Sequence, residues 1–432
     1  MSRKITLATF GTFGDLHPFM AIALALQESG YRPVIASWPD YAEKVAAAGV
    51  PFHPVRPALA QIERDLGVDS SGLVLRAMQD NTFVFRDVTF PYLEAAYEDM
   101  IPALDGAALT LTSSLAFAAR LAAEKLRIPQ LGVVLQPLMF VSVHDPPVIG
   151  NVPWLGRLVA HLGPATMRLA FRALKASLGR TAKPVHRLRA RLGLPPTDIN
   201  PLFEGQFSRL GAVGLYSRLL GGLQPDYPPG TSITGFAFYD DEKGSGAPKD
   251  PELERFLAAG PRPIVFTLGT SAVQHSGDFY EVSLAAAQRF QRRAVLVGAP
   301  VSRPQYSADL DVLPYVPYSQ LFPHAAAIVH HGGIGTVAQA LRAGCPQLIV
   351  PFLADQPDNA ARLERLGVAR VLARTRYRAR AVADELELLL RTPRYTEQAA
   401  AAAGEIAQEG GAREVVRLVD AILDRETAST PA

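Results

Sequence analysis

Near the start of the chain, "KITLATFGTFGDLHPFMAIALALQESG" places Asp15 and His17 in a glycine-pinched turn just ahead of a run of helical periodicity. An acid and a histidine at such a point are the residue types that take a proton from a hydroxyl. Asp15 is always charged but weakly basic unless burial raises it, whereas His17 is the better base at its ordinary pKa. The bland reading makes Asp15 the N-cap of a helix beginning at Pro18 and leaves His17 bonding locally. Three further loops bear on chemistry. "IVHHGGIGTVAQALRAG" is a strand, a glycine turn and a helix starting near Gly335–Thr336. Bare amides at that helix start, with the positive end of its dipole, suit a phosphate, and a histidine there adds a donor. "FTLGTS" sets Gly269, Thr270 and Ser271 after another strand, where hydroxyls and amides can clamp the same phosphates. In "VPFLADQPDNAARL", Asp355 and Gln356 supply acceptors and donors that match sugar hydroxyls, although Asp355 or Asp358 also reads as a helix N-cap.

These loops need a scaffold that presents them together. The first fifty residues alternate strand, helix, strand, helix, strand, the signature of a parallel sheet with helices on its faces. "ALTLTSS" and "PQLGVVLQP" add strands around the helix "LAFAARLAAEKL". Around 225–250 the texture turns to Pro, Gly and charge, which reads as a linker, and beyond it the α/β rhythm restarts. The expectation is two doubly wound, Rossmann-like domains, 1–224 and 251–432, facing each other across a cleft. A helix at about 411–425 packs back on the first. In such sheets ligands bind beyond the carboxyl ends of the strands, where the loops above lie.

Composition narrows the class. The 432 residues are 48% apolar and 19% charged with net charge +2, so no global imbalance points to nucleic acid. One cysteine, Cys345, excludes an intrachain disulfide, reads as core, and fits a reducing cytoplasm. No GxxxxGK[ST] and no complete GxGxxG is present, which speaks against a P-loop enzyme and a nicotinamide or flavin oxidoreductase. The "DLD" at Asp309–Asp311 is read as a solvated loop rather than a metal site.

With the three loops in this order, the chain resembles the GT-B glycosyltransferases that use nucleotide-activated sugars. Its most specific stretch is "YVPYSQLFPHAAAIVHHGGIGTVAQALRAGCPQLIVPFLADQ", Tyr315 to Gln356. The opening "GxxGDxxPF", "RPxVFTxGS/T" and "DQxDNAxRLxRLG" are similar to bacterial rhamnosyl-, macrolide- and sterol-type enzymes. The resemblance implies an inverting, metal-independent hexosyltransferase with a UDP- or dTDP-sugar as substrate and no other cofactor. It implies Tyr315 and Val316 at the nucleotide base, and His331 with the amides of Gly333, Gly335 and Thr336 at the diphosphate. Thr270 and Ser271 would close over the phosphates, and Asp355 and Gln356 would bind the sugar. It places the base on Asp15, with His17 as the competing choice. Many relatives carry Trp at the position of Tyr315, and a ribose-holding Glu at that of Gln339. A nucleotide-sugar epimerase of the same fold is the alternative reading.

Acceptor recognition falls to the first domain, whose apolar stretches at about 60–100 and 136–210 suit a small lipophilic molecule. From Pro146 to Thr197 there is no acid, while Arg157, Arg168, Arg172, Lys175, Arg189 and Arg191 fall within it. The roughly amphipathic spacing over 154–191 makes an anionic membrane surface a candidate partner, with a solvated basic face as the bland alternative.

Overall fold

The computed structural model describes residues 2–80, 82–148, 163–239, 250–269, 276–301 and 304–428. Two compact units form. One comprises 1–147, 154–239 and 410–432, the other 148–153 and 240–409.

The first unit is built on seven short strands: β1 (Lys4–Ala8), β2 (Arg32–Ser37), β3 (Phe52–Pro54), β4 (Ala107–Thr112), β5 (Gln130–Val134), β6 (Ala212–Gly214) and β7 (Ser232–Ile233). They lie in the order β3-β2-β1-β4-β5-β6-β7 with every pairing parallel. Strands buried on both faces need continuous apolar runs, and Ile5, Leu7, Leu109, Leu111, Leu131 and Val133 supply them to one core. The order reverses at β1, so the loop after β1 opens at the switch point where such sheets take ligands.

The helix after β1 starts earlier than the Pro18 start expected from the pattern. It spans Phe13–Glu28, and Thr12 is its N-cap. Thr12 and Asp15 bond reciprocally, which holds five residues ahead of Pro18 in helical form, so Asp15 sits at the third helical position rather than at the cap. The C-terminal helix Ala412–Ala428 belongs to this same unit, with Val415, Val419 and Leu423 buried against Ile22 and Leu26 of the first helix. The texture change expected at 225–250 brackets the point where the units exchange, after Tyr239. Residues 240–249 lie outside the described ones.

The second unit repeats the plan with β8 (Ile264–Thr267), β9 (Ala294–Val297), β10 (Gln305–Tyr306), β11 (Leu310–Leu313), β12 (Ala327–His330), β13 (Gln347–Ile349) and β14 (Ala369–Val371). Their order is β10-β11-β9-β8-β12-β13-β14, parallel except for β10 against β11. Cys345 is buried in the core under β9 and β12, as expected.

Two sequence expectations change here. The basic stretch 163–191 spends its amphipathic spacing inside the first unit. Met167 and Phe171 of the helix Pro164–Ser177 are buried, as are Val185 and Leu188 of the helix Lys183–Arg191. Lys175, Arg189 and Arg191 pair with Glu204, Glu124 and Glu94. Part of each apolar face is therefore already covered within the unit, which suits the solvated basic face, while Leu169 stays exposed. Residues 154–162 lie outside the described ones. No described helix is long and apolar enough to cross a membrane.

The "DLD" is a solvated loop only in part, since Asp309 is exposed. Asp311 belongs to β11 and is fully buried, and neither of its oxygens has a hydrogen-bond partner among the described residues. Its run of alternating polarity masked a strand buried on both faces. Loss of hydration pushes its pKa up to about 7. An acid raised in the folded state favours folding only while protonated, so stability falls as pH rises from about 3.8, the unfolded value, to about 7. The expected outcome is that Asp311→Asn melts at a higher temperature than the parent at pH 8 and at nearly the same temperature at pH 4. Calorimetry at the two pH values checks it.

Candidate functional site

The loop between β1 and the first helix is shaped around one carboxylate. Asp15 Oδ2 accepts from the Thr12 amide at 2.8 Å and from the Thr12 hydroxyl at 3.2 Å. Gly11 has φ +130°, and a Cβ there would lie 2.2 Å from that same oxygen, so no other residue fits. The Tyr41 hydroxyl donates to the Gly11 carbonyl at 2.5 Å, and the Thr9 hydroxyl donates to the Asp15 carbonyl at 3.1 Å. The loop is thus fixed from both sides. Loss of hydration raises Asp15 to about 6, against the lowering effect of the Thr12 hydrogen bonds. That brings a carboxylate close to the pKa range useful for proton abstraction near neutrality.

His17 has the opposite fate. Its ring stacks on Phe13 at 5.4 Å between centroids and meets Tyr239 edge-on at the same distance. Lys44 lies over the Phe13 ring at 4.8 Å. Burial, with the Lys44 charge as a lesser cause, lowers His17 to about 3, and its Nε2 is buried without a hydrogen-bond partner among the described residues. An imidazole that cannot hold a proton above pH 3 is a poor base, so of the two candidates the geometry favours Asp15.

Beside Gly11 lies a small cavity of about 60 Å³. Trp38, Val84, Val88, Leu93 and Leu115 give it an apolar wall, of which Val84, Val88 and Leu93 come from the first of the two stretches expected to receive an acceptor.

In the second unit the glycine loops after β8 and β12 meet. His330 closes β12 and is fully buried, its Nε2 2.9 Å from Gln347 Oε1 and its Nδ1 accepting from the Gly332 amide at 3.1 Å. Both nitrogens are used internally, and His330 is therefore structural. His331 turns the other way. Its ring lies so close to two glycines that a Cβ on Gly333 would come within 2.4 Å of Nε2, and one on Gly269 within 2.8 Å of Cε1. Burial lowers His331 to about 3, so its ring is neutral.

Gly333 is the N-cap of the helix Ile334–Arg342 and offers no side chain to its amides, while Gly335 has open space where a Cβ would be. Thr336 is buried one turn in. His331, Gly333, Gly335 and Thr336 therefore gather at one helix start whose first amides lack intrahelical partners. Gly269 arrives from the neighbouring strand; Thr270 and Ser271, the residues expected beside it, lie outside the described ones. Tyr315 is 42% exposed, whereas the Val316 side chain is core and only its backbone is available to a ligand.

Asp355 and Gln356 follow β13, and each is partly committed to the fold. Asp355 stands at the N-cap of the helix Gln356–Leu366 without capping it; its Oδ2 accepts from Asn359 at 2.7 Å. Gln356 Oε1 accepts from the amides of Phe352 and Leu353 at 2.7 and 3.0 Å. Both side chains are thus tied in part to their own loop at the carboxyl end of β13. Ala354, just before them, holds φ +54°, a strained left-handed backbone of the kind found at ligand clamps.

Sequence reasoning missed three supports. Thr12 was legible, because Thr-x-x-Asp ahead of an apolar run is capping-box spacing. Asn359, which ties Asp355 to the Gly332 carbonyl, follows from i,i+4 spacing once the helix start is known. Tyr41 carries no local signal; it reaches Gly11 only because β2 returns beside β1.

Residues 305–422 match the model of the erythromycin biosynthesis protein CIII-like C-terminal domain. The chain is 30% identical over 462 residues to the O-mycaminosyltylonolide 6-deoxyallosyltransferase of Streptomyces fradiae, covering 99% of this chain and 100% of that one. It is also 30% identical over 431 residues to the vancomycin aglycone glucosyltransferase of Amycolatopsis orientalis, covering 97% and 98% of the two. Among solved structures, the glycosyltransferase VinC in complex with DTDP superposes with a TM-score of 0.67 at 19% identity, over 98% of this chain and 100% of that one.

The crowding around His331 has a direct consequence. Gly333→Ala is expected to displace that ring and to abolish the melting-temperature rise given by a nucleoside diphosphate, with the far-ultraviolet circular dichroism preserved; a thermal shift titration checks it.

Proposed function

Given that the chain belongs to the nucleotide-sugar glycosyltransferases of the UDP-glycosyltransferase-like family, we propose that it moves a hexose from a UDP- or dTDP-activated donor to a hydroxyl of a small lipophilic natural product, with inversion and with Asp15 as the base. Membership makes it an enzyme that transfers sugars and sets aside the nicotinamide reading. The macrolide and glycopeptide acceptors named for its relatives, and the DTDP held by VinC, support the substrate classes.

The observation that carries the proposal is the carboxylate of Asp15, withdrawn from water and held by Thr12 in the loop whose Gly11 lines an apolar cavity. An acceptor seated on that apolar wall donates its hydroxyl proton to Asp15. Its oxygen attacks the anomeric carbon from the face opposite the diphosphate, and the bond from that carbon to the diphosphate oxygen breaks. Negative charge then grows on the leaving diphosphate. The amides of Gly333, Gly335 and Thr336, the helix dipole and the N–H of His331 are the groups suited to meet it, acting without a metal ion. Tyr315 stacks on the base and Val316 offers its backbone. Asp355 and Gln356 bind sugar hydroxyls, and Thr270 and Ser271 close on the phosphates. Gln339, buried in the helix Ile334–Arg342, is a neutral residue where many relatives present an acid to the ribose.

Thermal unfolding with saturating UDP, dTDP or NAD tests the donor half. Ligand at 100 times its dissociation constant stabilises by about 2.7 kcal/mol, and the expected result is a shift with UDP or dTDP and none with NAD. For the acceptor half, Asp15→Asn keeps an oxygen for the Thr12 amide and is expected to fold normally while turnover falls about 100- to 10,000-fold. His17→Phe retains turnover close to the parent. Steady-state kinetics with one sugar donor and an acceptor panel decides between them; loss of activity in His17→Phe alone would transfer the role of base to His17.

A further inference from the structure

The basic stretch leaves a remainder. Lys175, Arg189 and Arg191 are paired with acids, but Arg168 and Arg172, one helical turn apart on Pro164–Ser177, are exposed and have no ion-pair partner among the described residues. Both line a cavity of about 430 Å³ in the first unit, within the range of small-molecule sites. It shares no lining residue with the cavity beside Gly11.

The wall of this larger cavity is aromatic. Phe140 stacks on Tyr227 at 4.1 Å and lies parallel to Phe207 at 5.4 Å, and Phe171 adds a buried ring from the helix that carries the arginines. The acids in the lining are already engaged. Glu204 pairs with Lys175, and Asp226 accepts from the Ser142 hydroxyl at 2.6 Å and the Val143 amide at 2.8 Å. What is left over is two guanidinium groups. Val141, also in the lining, holds φ +50°, a left-handed backbone that a β-branched residue rarely adopts and that tends to mark functional sites.

We infer that this cavity is a second small-molecule site, and that its ligand is a flat, largely apolar molecule bearing a carboxylate. The ring system lies on the Phe140–Tyr227 wall, and Arg168 and Arg172 take the carboxylate, whose planar two-oxygen geometry matches the guanidinium fork. The inference does not depend on the donor site or on Asp15.

Isothermal titration of the full chain with anthraquinone-2-carboxylic acid tests it, with 2-(hydroxymethyl)anthraquinone as the uncharged control. The acid is expected to bind at least about tenfold more tightly than the alcohol, the size of one charge-assisted hydrogen bond. In the double variant Arg168→Gln/Arg172→Gln the acid should fall to the level of the alcohol. The alcohol's own affinity and the thermal shift with dTDP should stay unchanged, because the substituted side chains are exposed and lie outside the donor loops. Three results would overturn the inference: no binding of the acid, equal binding of acid and alcohol, or binding of the acid that survives the double substitution. Survival in the double variant together with loss in Trp38→Ala would place the acid in the cavity beside Gly11 instead.

Discussion

The carboxylate of Asp15 turns back onto the amide of Thr12, and the front of the first unit is arranged around that bond. It ends the loop after β1 and starts the first helix at Phe13. Because the turn is so tight, residue 11 has no room for a Cβ. The same bond competes with desolvation. Hydrogen bonds from Thr12 stabilise the anion and loss of water destabilises it; desolvation is the larger effect, so the acid lies near 6 rather than near 4. A capping residue would ordinarily be a purely structural part. Here the capping geometry and the raised basicity belong to one side chain, because the helix start coincides with the switch point of the sheet.

The second unit solves a different problem, that of bringing backbone amides close to a ligand. Gly269, Gly332 and Gly333 each leave out a Cβ that would strike a neighbour: His331 for the first and third, Ile349 for the second. Close approach of β8, β12 and β13 at their carboxyl ends is what crowds these loops together. The two adjacent histidines show how alternation along a strand divides labour. His330 spends both nitrogens on the fold, and His331 is left at the helix start.

Much of this was legible in the residues. The alternation of apolar runs and helical periods foretold both sheets, because parallel strands buried on two faces leave a strong local signal. The glycine loops could be read as close-approach points for the same reason. What could not be read were effects of distant chain segments. His17 is the better base by its ordinary pKa, and only its burial against Phe13 and Tyr239, with Lys44 near, lowers it. Asp311 looked like part of a solvated loop because charge dominates a short window, while in the fold it lies in β11 between β9 and β10. The basic run at 154–191 left a lipid surface and a solvated face both open, and the acids that pair with part of it, Glu94, Glu124 and Glu204, come from elsewhere in the chain. Even the Asp355–Gln356 pair, correct in its position at a helix start, had part of its hydrogen-bonding capacity taken by Phe352, Leu353 and Asn359.

The central claim is that a single desolvated carboxylate, Asp15, accepts the proton, and the most direct measurement is the pH dependence of kcat/KM in the free enzyme. Because the base works only when ionised, the rate should rise with pH along an acid limb centred near 6, the value set by desolvation of Asp15. Removing the Thr12 hydroxyl with Thr12→Ala takes away one of the bonds that hold the pKa down, so the limb should move to higher pH. A limb at about 4, or one that stays in place in Thr12→Ala, would contradict the account.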